Sequence, residues 1–215
     1  MTSMPGGNQH DSIEWRLYRN MLVTRLFEEA LIRWEQEGKI SAQTFPSKGQ
    51  EAIAIGCCAA LEKGDTVIPS FRTRGAMIGM GVSIAEQLRE FLHSPLAAGD
   101  ARDAPHHSSW PDRGVMPGST MIGGHLAMAA GVALAMQFEK QSTVSVAFFG
   151  DGTLGSGDLY ETMHIAGAWR LPLILICENN GWEMATPFSK VRRTRTLTPY
   201  AEPFGFATRS VDGND

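Results

Sequence analysis

Apolar residues recur at helical spacing in several segments of the chain. Asp11 or Ser12 can cap the first predicted helix, which Gly38 ends. Ser83 can cap the predicted helix that begins at residue 84. The segment after Gly123 is small and apolar, which is typical of a tightly packed internal helix. The periodicity predicts helices over residues 12–37, 50–61, 84–92, 123–138 and 158–169.

Three short apolar runs are candidate strands, over residues 66–69, 143–149 and 173–177. The last two are apolar on both faces, which is typical of central strands in a parallel sheet covered by helices. A predicted helix separates them, so the order is strand, helix, strand. The pattern therefore predicts an α/β fold with a doubly wound, mainly parallel sheet and helices on both faces.

Composition narrows the class of protein. The chain has 215 residues, 19 Lys and Arg against 23 Asp and Glu, and a net charge of −4. This mild acidity offers no attraction to nucleic acid, and no apolar run approaches the roughly 20 residues that span a bilayer. We expect a flexible tail over residues 1–11, one domain over residues 12–215 and a cytoplasmic location.

Glycine and acidic or amide residues follow two predicted strands. Gly150-Asp151-Gly152-Thr153 comes directly after one strand, and Glu178-Asn179-Asn180-Gly181-Trp182 ends the next. Ligands of such sheets bind beyond the carboxyl ends of the strands. Glycine lets backbone N–H groups approach an anion, whereas the Asp carboxylate needs a cation between itself and a phosphate. Carboxylate, amide and carbonyl oxygens suit Mg²⁺, so this edge is predicted to bind a metal and a diphosphate.

The spacing of these two segments resembles the thiamine diphosphate signature, with 26 residues between Gly152 and Asn179. The resemblance extends to the alpha subunits of 2-oxo acid dehydrogenase decarboxylase components, of the pyruvate, branched-chain and acetoin type. The further segments that carry it are Gly49-Gln50-Glu51-Ala52, Phe71-Arg72-Thr73-Arg74-Gly75, Gly157 with Glu161, and Val211-Asp212-Gly213-Asn214-Asp215. It covers the chain from about Glu14 to its last residue.

The resemblance implies roles for particular residues. Asp151, the Asn180 side chain and the Trp182 carbonyl would hold Mg²⁺. Gly152 and Thr153 would offer N–H groups to the diphosphate. The remaining implied contacts are Arg72 and Phe71 at the diphosphate, and backbone groups of Thr120 and Ile122 at the aminopyrimidine ring. The cofactor would decarboxylate a 2-oxo acid and pass the acyl unit to a lipoyl group or another carrier.

The chain departs from the family at several positions. Phe45 and Arg74 stand where many members have His, and Phe71 stands where the family usually has Tyr. The long segment over residues 94–119 has no periodicity and no Gly-rich GGSMH-type stretch. It contains His106 and His107, which we expect to face the substrate, one of them as a catalytic donor replacing those lost elsewhere. The chain also ends before the further sheet and active-site loop of the family.

The resemblance further implies a heterotetramer. A beta-type subunit would supply the pyrimidine-binding domain and the Glu that activates the cofactor, since the sequence has room for only one such domain. Two alternatives stay open at this point: a split transketolase subunit that transfers a ketol unit, and a non-catalytic alpha-like assembly partner. The retention of Asp151, Asn180 and Arg72 argues against the second. The particular 2-oxo acid and acceptor are not indicated.

Overall fold

The computed structural model describes residues 12–194 and 196–213. The predicted tail over residues 1–11 lies outside the described residues, as do Arg195 and the final Asn214-Asp215 pair. The helices are α1 (Ile13–Gln36), α2 (Glu51–Ala59), α3 (Arg74–Gly79), α4 (Ile84–Phe91), α5 (Gly124–Phe138), α6 (Gly157–Trp169) and α7 (Phe188–Val191). The strands are β1 (Thr66–Ile68), β2 (Ser145–Gly150), β3 (Leu173–Glu178), β4 (Trp182–Glu183) and β5 (Thr186–Pro187).

A parallel sheet in the order β1-β2-β3 forms the centre of the fold. Its register places Val146 between Val67 and Ile174. Isolated parallel bridges pair Val67 with Val115 and Ser70 with Ser119. The segment over residues 115–119 therefore runs alongside β1 and ends at the same edge of the sheet as the three strands.

Helices cover both faces of β2, as the sequence predicts for an α/β fold. Ala147 and Phe149 belong to a buried cluster that includes α5 and α6 residues such as Leu126. Val146 and Phe148 belong to a second cluster with α2 and α3 residues. Alternating residues of β2 thus contribute to different clusters, because neighbouring side chains of a strand point to opposite faces of the sheet.

The third strand is less buried than its apolar sequence predicts. Only Leu173 and Glu178, at its two ends, are buried, and Ile174 is 41% exposed. Within residues 12–194 and 196–213, β3 pairs with β2 alone and forms an edge of the sheet. The prediction that the apolar strands are central is confirmed for β2, whereas β3 has one neighbour among the described residues.

The helices match their predicted positions closely. The Ser12 hydroxyl accepts the N–H of Trp15 at 3.3 Å and caps α1, while Ser83 and Glu86 form a reciprocal capping box on α4. The short helix α3 was not predicted. A search of the described helices finds none long and apolar enough to cross a membrane.

Candidate functional site

Four chain segments meet at the carboxyl edge of the sheet. Three of them follow strands β1, β2 and β3, and the fourth follows Ser119. Contacts between individual residues join these segments. The Ser119 segment is bridged to Ser70, and the Thr73 hydroxyl donates a hydrogen bond to Glu178 Oε2 at 2.8 Å. A Cβ added to Gly123 would come within 2.7 Å of Ser156 Oγ. The segments that contain the predicted site residues are therefore neighbours in space.

Asp151 lies at the centre of this edge. Its side chain is 1% exposed, and its Oδ2 has no hydrogen-bond partner among the described residues. Burial raises the pKa of Asp151, while hydrogen bonds from backbone N–H groups, including those of Asn180 and Gly181, oppose the rise in its pKa. A buried carboxylate oxygen without a partner carries a desolvation cost that a cation can offset.

The segment after β3 folds into two side-chain turns. Asn180 Oδ1 accepts the N–H of Trp182 at 2.9 Å, and Asn179 Oδ1 accepts the N–H of Gly181 at 3.2 Å. Gly181 has a φ of +75°, a conformation that glycine adopts without strain. The backbone N–H groups of Asn180 and Gly181 hydrogen-bond to Asp151, so this segment lies beside that carboxylate. Strands β4 and β5 follow as a short hairpin.

A tight 3-10 turn over Asp151–Gly155 follows β2. Thr153 is buried in it. A Cβ on Gly152 would lie 3.0 Å from the Cγ of Glu183, so only glycine leaves ordinary space at this position. Sequence reasoning missed Glu183, whose negative charge also contributes to the raised pKa of Asp151. The available signal was its place directly after Trp182.

Arg72 is partly buried near the same edge. Its Nη1 donates to the Pro46 carbonyl at 2.9 Å, and its guanidinium carbon lies 5.8 Å from the centre of the Phe71 ring. Phe71 in turn packs edge-on against Phe45, with ring centres 4.8 Å apart. The charge of Arg72 opposes the effect of burial, which raises the pKa of Glu178. Arg72 is thus a cation close to this edge, held by one hydrogen bond to a neutral carbonyl and by its contact with the Phe71 ring.

The neighbouring arginine points elsewhere. Arg74 is 4% exposed, and its guanidinium carbon lies 4.7 Å from the centre of the Phe91 ring. Burial lowers the pKa of Arg74 to about 10. It also lies close enough to the buried Glu28 to oppose the effect of burial on that carboxyl, whose pKa rises to about 7. Glu28 accepts the Ser47 N–H at 2.8 Å, so these charges form an internal network.

The two adjacent histidines have different surroundings. His106 is buried, with Nε2 at 2.8 Å from the Gln43 carbonyl and Nδ1 at 3.4 Å from Arg74 Nη2. A guanidinium only donates, so Nδ1 accepts and Nε2–H donates to Gln43. Burial and the Arg74 charge lower the pKa of His106 to about 4. Both nitrogens of His106 are occupied, which gives no support to its predicted role as a proton donor.

His107 is partly exposed and contacts the Thr120 segment. Its Nε2 lies 2.9 Å from Thr120 Oγ1, and its Nδ1 lies 3.1 Å from Asp103 Oδ1. Thr120 and Ile122 are both exposed and lie just beyond Ser119. Of the two predicted histidines, only His107 therefore contacts the segment that reaches the carboxyl edge of the sheet.

The predicted metal-binding residues are one carboxylate and two neutral oxygens. A search of the described residues for groups of three or more His, Cys, Asp or Glu placed to hold a metal finds none. The predicted set of Asp151, Asn180 and Trp182 contains one carboxylate and is of a different kind from such groups.

The chain is similar to several known proteins. The family described as "Dehydrogenase E1 component" matches residues 18–215. The chain is 29% identical over 199 residues to the alpha subunit of acetoin:2,6-dichlorophenolindophenol oxidoreductase from Bacillus subtilis, covering 93% of this chain and 60% of that protein. It is 31% identical over 214 residues to the pyruvate dehydrogenase E1 alpha subunit of Zymomonas mobilis, covering 99% and 60%.

A 2-oxoisovalerate dehydrogenase alpha subunit of Bacillus subtilis is 28% identical over 201 residues, covering 93% of this chain and 61% of that protein. The chain thus spans about 60% of the length of these relatives. The family match includes every candidate residue at the carboxyl edge of the sheet. The chain belongs to the dehydrogenase E1 component family.

Proposed function

We propose that this chain is an alpha-type subunit of a thiamine diphosphate-dependent enzyme that decarboxylates a 2-oxo acid and transfers the acyl unit to a lipoyl group or another carrier. The family membership supports this proposal. The observation that carries it is the buried Asp151 carboxylate, whose Oδ2 has no partner in the described chain and which adjoins the Asn180 turn.

The residues present fit a magnesium ion and a diphosphate. Mg²⁺ requires a compact set of oxygen ligands and would satisfy the unpaired Oδ2 of Asp151. The Asn180 side-chain oxygen accepts one N–H and has a second lone pair for a metal. The Trp182 carbonyl would be the third protein ligand. Gly152, where a Cβ would lie 3.0 Å from Glu183 Cγ, would present its N–H to the diphosphate.

The other proposed contacts lie on the neighbouring segments. Arg72 would exchange its bond to the Pro46 carbonyl for a stronger, charge-assisted bond to a diphosphate oxygen. Thr120 and Ile122 would bind the aminopyrimidine ring through backbone groups. When bound, thiamine diphosphate supplies the carbon nucleophile that adds to the keto group and accepts the electrons released with CO₂. The chain's own residues hold the charges of the diphosphate and orient the ring.

The proposal extends to fold and partners. The parallel sheet with helices on both faces would be the doubly wound, diphosphate-binding domain of such enzymes, formed by residues 12–215. The relatives named above are alpha subunits, which supports a beta-type partner, and we propose a heterotetramer in which that partner supplies the activating Glu. A cytoplasmic location stays a prediction.

The two alternatives receive less support. The family match and the relatives named above favour acyl transfer from a 2-oxo acid over ketol transfer by a split transketolase. A non-catalytic assembly partner would not need a buried, unpaired Asp151. The retained carboxylate therefore favours a chain that binds its cofactor.

Calorimetry and turnover assays test the proposal. The chain co-purified with its beta-type partner should bind thiamine diphosphate in the presence of Mg²⁺, and binding should disappear with EDTA. A screen of pyruvate, branched-chain 2-oxo acids and acetoin, with an artificial electron acceptor, should give turnover for at least one donor. The isolated chain should bind weakly and give none. Turnover by the chain alone, with the partner absent by mass spectrometry, would contradict the proposed division of the active site.

A further inference from the structure

Hydrogen bonds determine which nitrogen of the neutral His107 ring, beside the Thr120 segment, carries the proton. The backbone N–H of Thr120 points to His107 Nε2 at 3.2 Å. A backbone N–H can only donate, so Nε2 must accept. The proton of the neutral ring is then on Nδ1, which donates to Asp103 Oδ1 at 3.1 Å. Asp103, His107 and Thr120 form a chain of bonds with a defined direction.

This bond leaves particular groups of the exposed turn for a ligand. The amide of Thr120 is held by His107, and the amide of Met121 donates to Ser119 Oγ at 2.9 Å. In the described part of the chain, the Thr120 carbonyl and the Ile122 N–H have no hydrogen-bond partner. One acceptor and one donor thus remain two residues apart, which is the pattern that pairs with an aminopyrimidine edge.

The turn has little else to hold it in place. Met121 and Ile122 are 72% and 50% exposed, so few packing contacts restrict this segment. Its hydrogen bonds are the bridge from Ser119 to Ser70, the local bonds of Met121 to Ser119 and Gly124, and the contacts of Thr120 with His107. Of these, only the Thr120 contacts with His107 hold the Thr120 peptide itself. Loss of the imidazole would leave the Thr120 peptide free to rotate, and a ligand would have to restrict that motion when it binds.

We propose that His107 is a positioning residue for the aminopyrimidine ring, which acts through the Thr120 peptide and is itself oriented by Asp103. This inference rests on the proposed function. It separates His107 from His106, whose bonds to Gln43 and Arg74 belong to the interior of the protein.

The experiment compares two probes on the full chain co-purified with its beta-type partner. Thiamine diphosphate reports on both ends of the cofactor site, whereas inorganic diphosphate with Mg²⁺ reports on the metal end alone. His107→Ala should raise the Kd for thiamine diphosphate by about three- to tenfold, the effect of one or two neutral hydrogen bonds. The Kd for inorganic diphosphate should stay unchanged.

Conservative variants distinguish positioning from a general loss of stability. His107→Gln offers an amide oxygen that can accept the Thr120 N–H, so it should restore part of the affinity for thiamine diphosphate. Asp103→Asn keeps an acceptor for Nδ1–H and should resemble the wild type, while Asp103→Ala should fall between the wild type and His107→Ala. His164→Ala, on the exposed face of α6, is the matched control and should change neither Kd.

The outcomes separate this inference from the proposed function. Equal binding of thiamine diphosphate by wild type and His107→Ala would overturn the positioning role alone. An equal loss for both probes would overturn it too, because the effect would then lie at the metal end. A wild-type complex that binds inorganic diphosphate but not thiamine diphosphate would overturn the proposed function, and this inference with it.

Discussion

Asp151 and the nearby buried pair of His106 and Arg74 differ in whether their polar atoms have hydrogen-bond partners. At the metal side, Asp151 is buried with one carboxylate oxygen lacking a partner in the described chain. In the interior near it, both nitrogens of His106 are bonded, and the Arg74 guanidinium contacts both that ring and the Phe91 ring. Leaving a buried polar atom unpaired costs free energy, which a ligand can recover. We therefore propose that Asp151 binds a ligand, whereas His106 and Arg74 stabilise the interior of the protein.

The Asp151 carboxylate should contribute most to binding at the metal side. Asp151→Ala should reduce Mg²⁺-dependent affinity for thiamine diphosphate by more than about 100-fold, because the diphosphate would lose its bridging cation. Asn180→Ala should weaken binding less, since water can replace one neutral ligand. Isothermal titration calorimetry measures both. Asp112→Ala, an exposed acid, is the control, and an unchanged affinity of Asp151→Ala would refute the metal site.

Arg72 tests whether a cation near the edge serves the ligand or the fold. A charge-assisted bond to a diphosphate oxygen is worth about 1.5–3 kcal/mol, so Arg72→Ala should raise the cofactor Kd by roughly ten- to a hundredfold. Its hydrogen bond goes to a neutral carbonyl and the side chain is only partly buried, so the unfolding temperature should change little. Arg89→Ala, exposed on α4, is the matched control. A normal Kd with a lowered unfolding temperature would assign Arg72 to the fold.

The spacing of apolar residues predicted most of the fold, because it depends on which side chains of each helix or strand face the core. Helices α1, α5 and α6 and strand β2 lie close to their predicted positions. His125, in the apolar helix α5, is buried, with Nε2 at 2.7 Å from the Phe148 carbonyl. The exposure of β3 and the existence of α3 were missed. The first depends on strand neighbours, and the second is a six-residue helix, too short for its period to be read.

The metal side of the site could be predicted because its residues follow adjacent parallel strands, whose carboxyl ends must meet. The internal network could not. Arg74 and Glu28 are charged, and charge in a sequence normally indicates a solvent-exposed face. They meet only because α1 and α3 pack together in the fold. Glu183 was missed although it directly follows Trp182, because its approach to Gly152 depends on how the segment after β3 folds.

Glu28 provides a test of the internal network through the pH dependence of stability. Burial raises the pKa of Glu28 from 4.5 to about 7, so the folded state binds more protons between these values. The stability it contributes is present below pH 4.5 and lost as the pH rises through about 7. The difference in unfolding free energy between wild type and Glu28→Gln should therefore fall by about 2–3 kcal/mol from pH 4.5 to 8.

Urea unfolding at several pH values measures this difference. His106 has the opposite sign, because its lowered pKa of about 4 means that stability is lost as the pH falls below 6.5. That effect is common to wild type and Glu28→Gln and cancels when the two are subtracted. Glu29→Gln, one residue away and partly exposed, is the control. A pH-independent difference would mean that Glu28 is ionised throughout and pairs more closely with Arg74.

The smallest expected effect concerns the acid that borders the metal side. Glu183 adds negative charge beside Asp151 and packs near Gly152, where the diphosphate is proposed to bind. It is partly exposed, so solvent screens its charge and the repulsion should be worth at most about 1 kcal/mol. Glu183→Gln keeps the shape of the side chain and should lower the Kd for inorganic diphosphate with Mg²⁺ by about two- to fivefold.

The direction of this change decides between two roles for Glu183. If its charge only repels the diphosphate, Glu183→Gln binds more tightly, and the effect shrinks at high salt because exposed charges are screened. If its carboxylate contributes to holding the cation, the same variant binds more weakly, and the proposed ligands Asp151, Asn180 and Trp182 would be an incomplete set. Glu202→Gln, an exposed acid in a distant 3-10 turn, should leave the affinity unchanged. We expect tighter binding, because Asp151 already has a buried oxygen without a partner and Mg²⁺ needs few protein ligands beside phosphate oxygens.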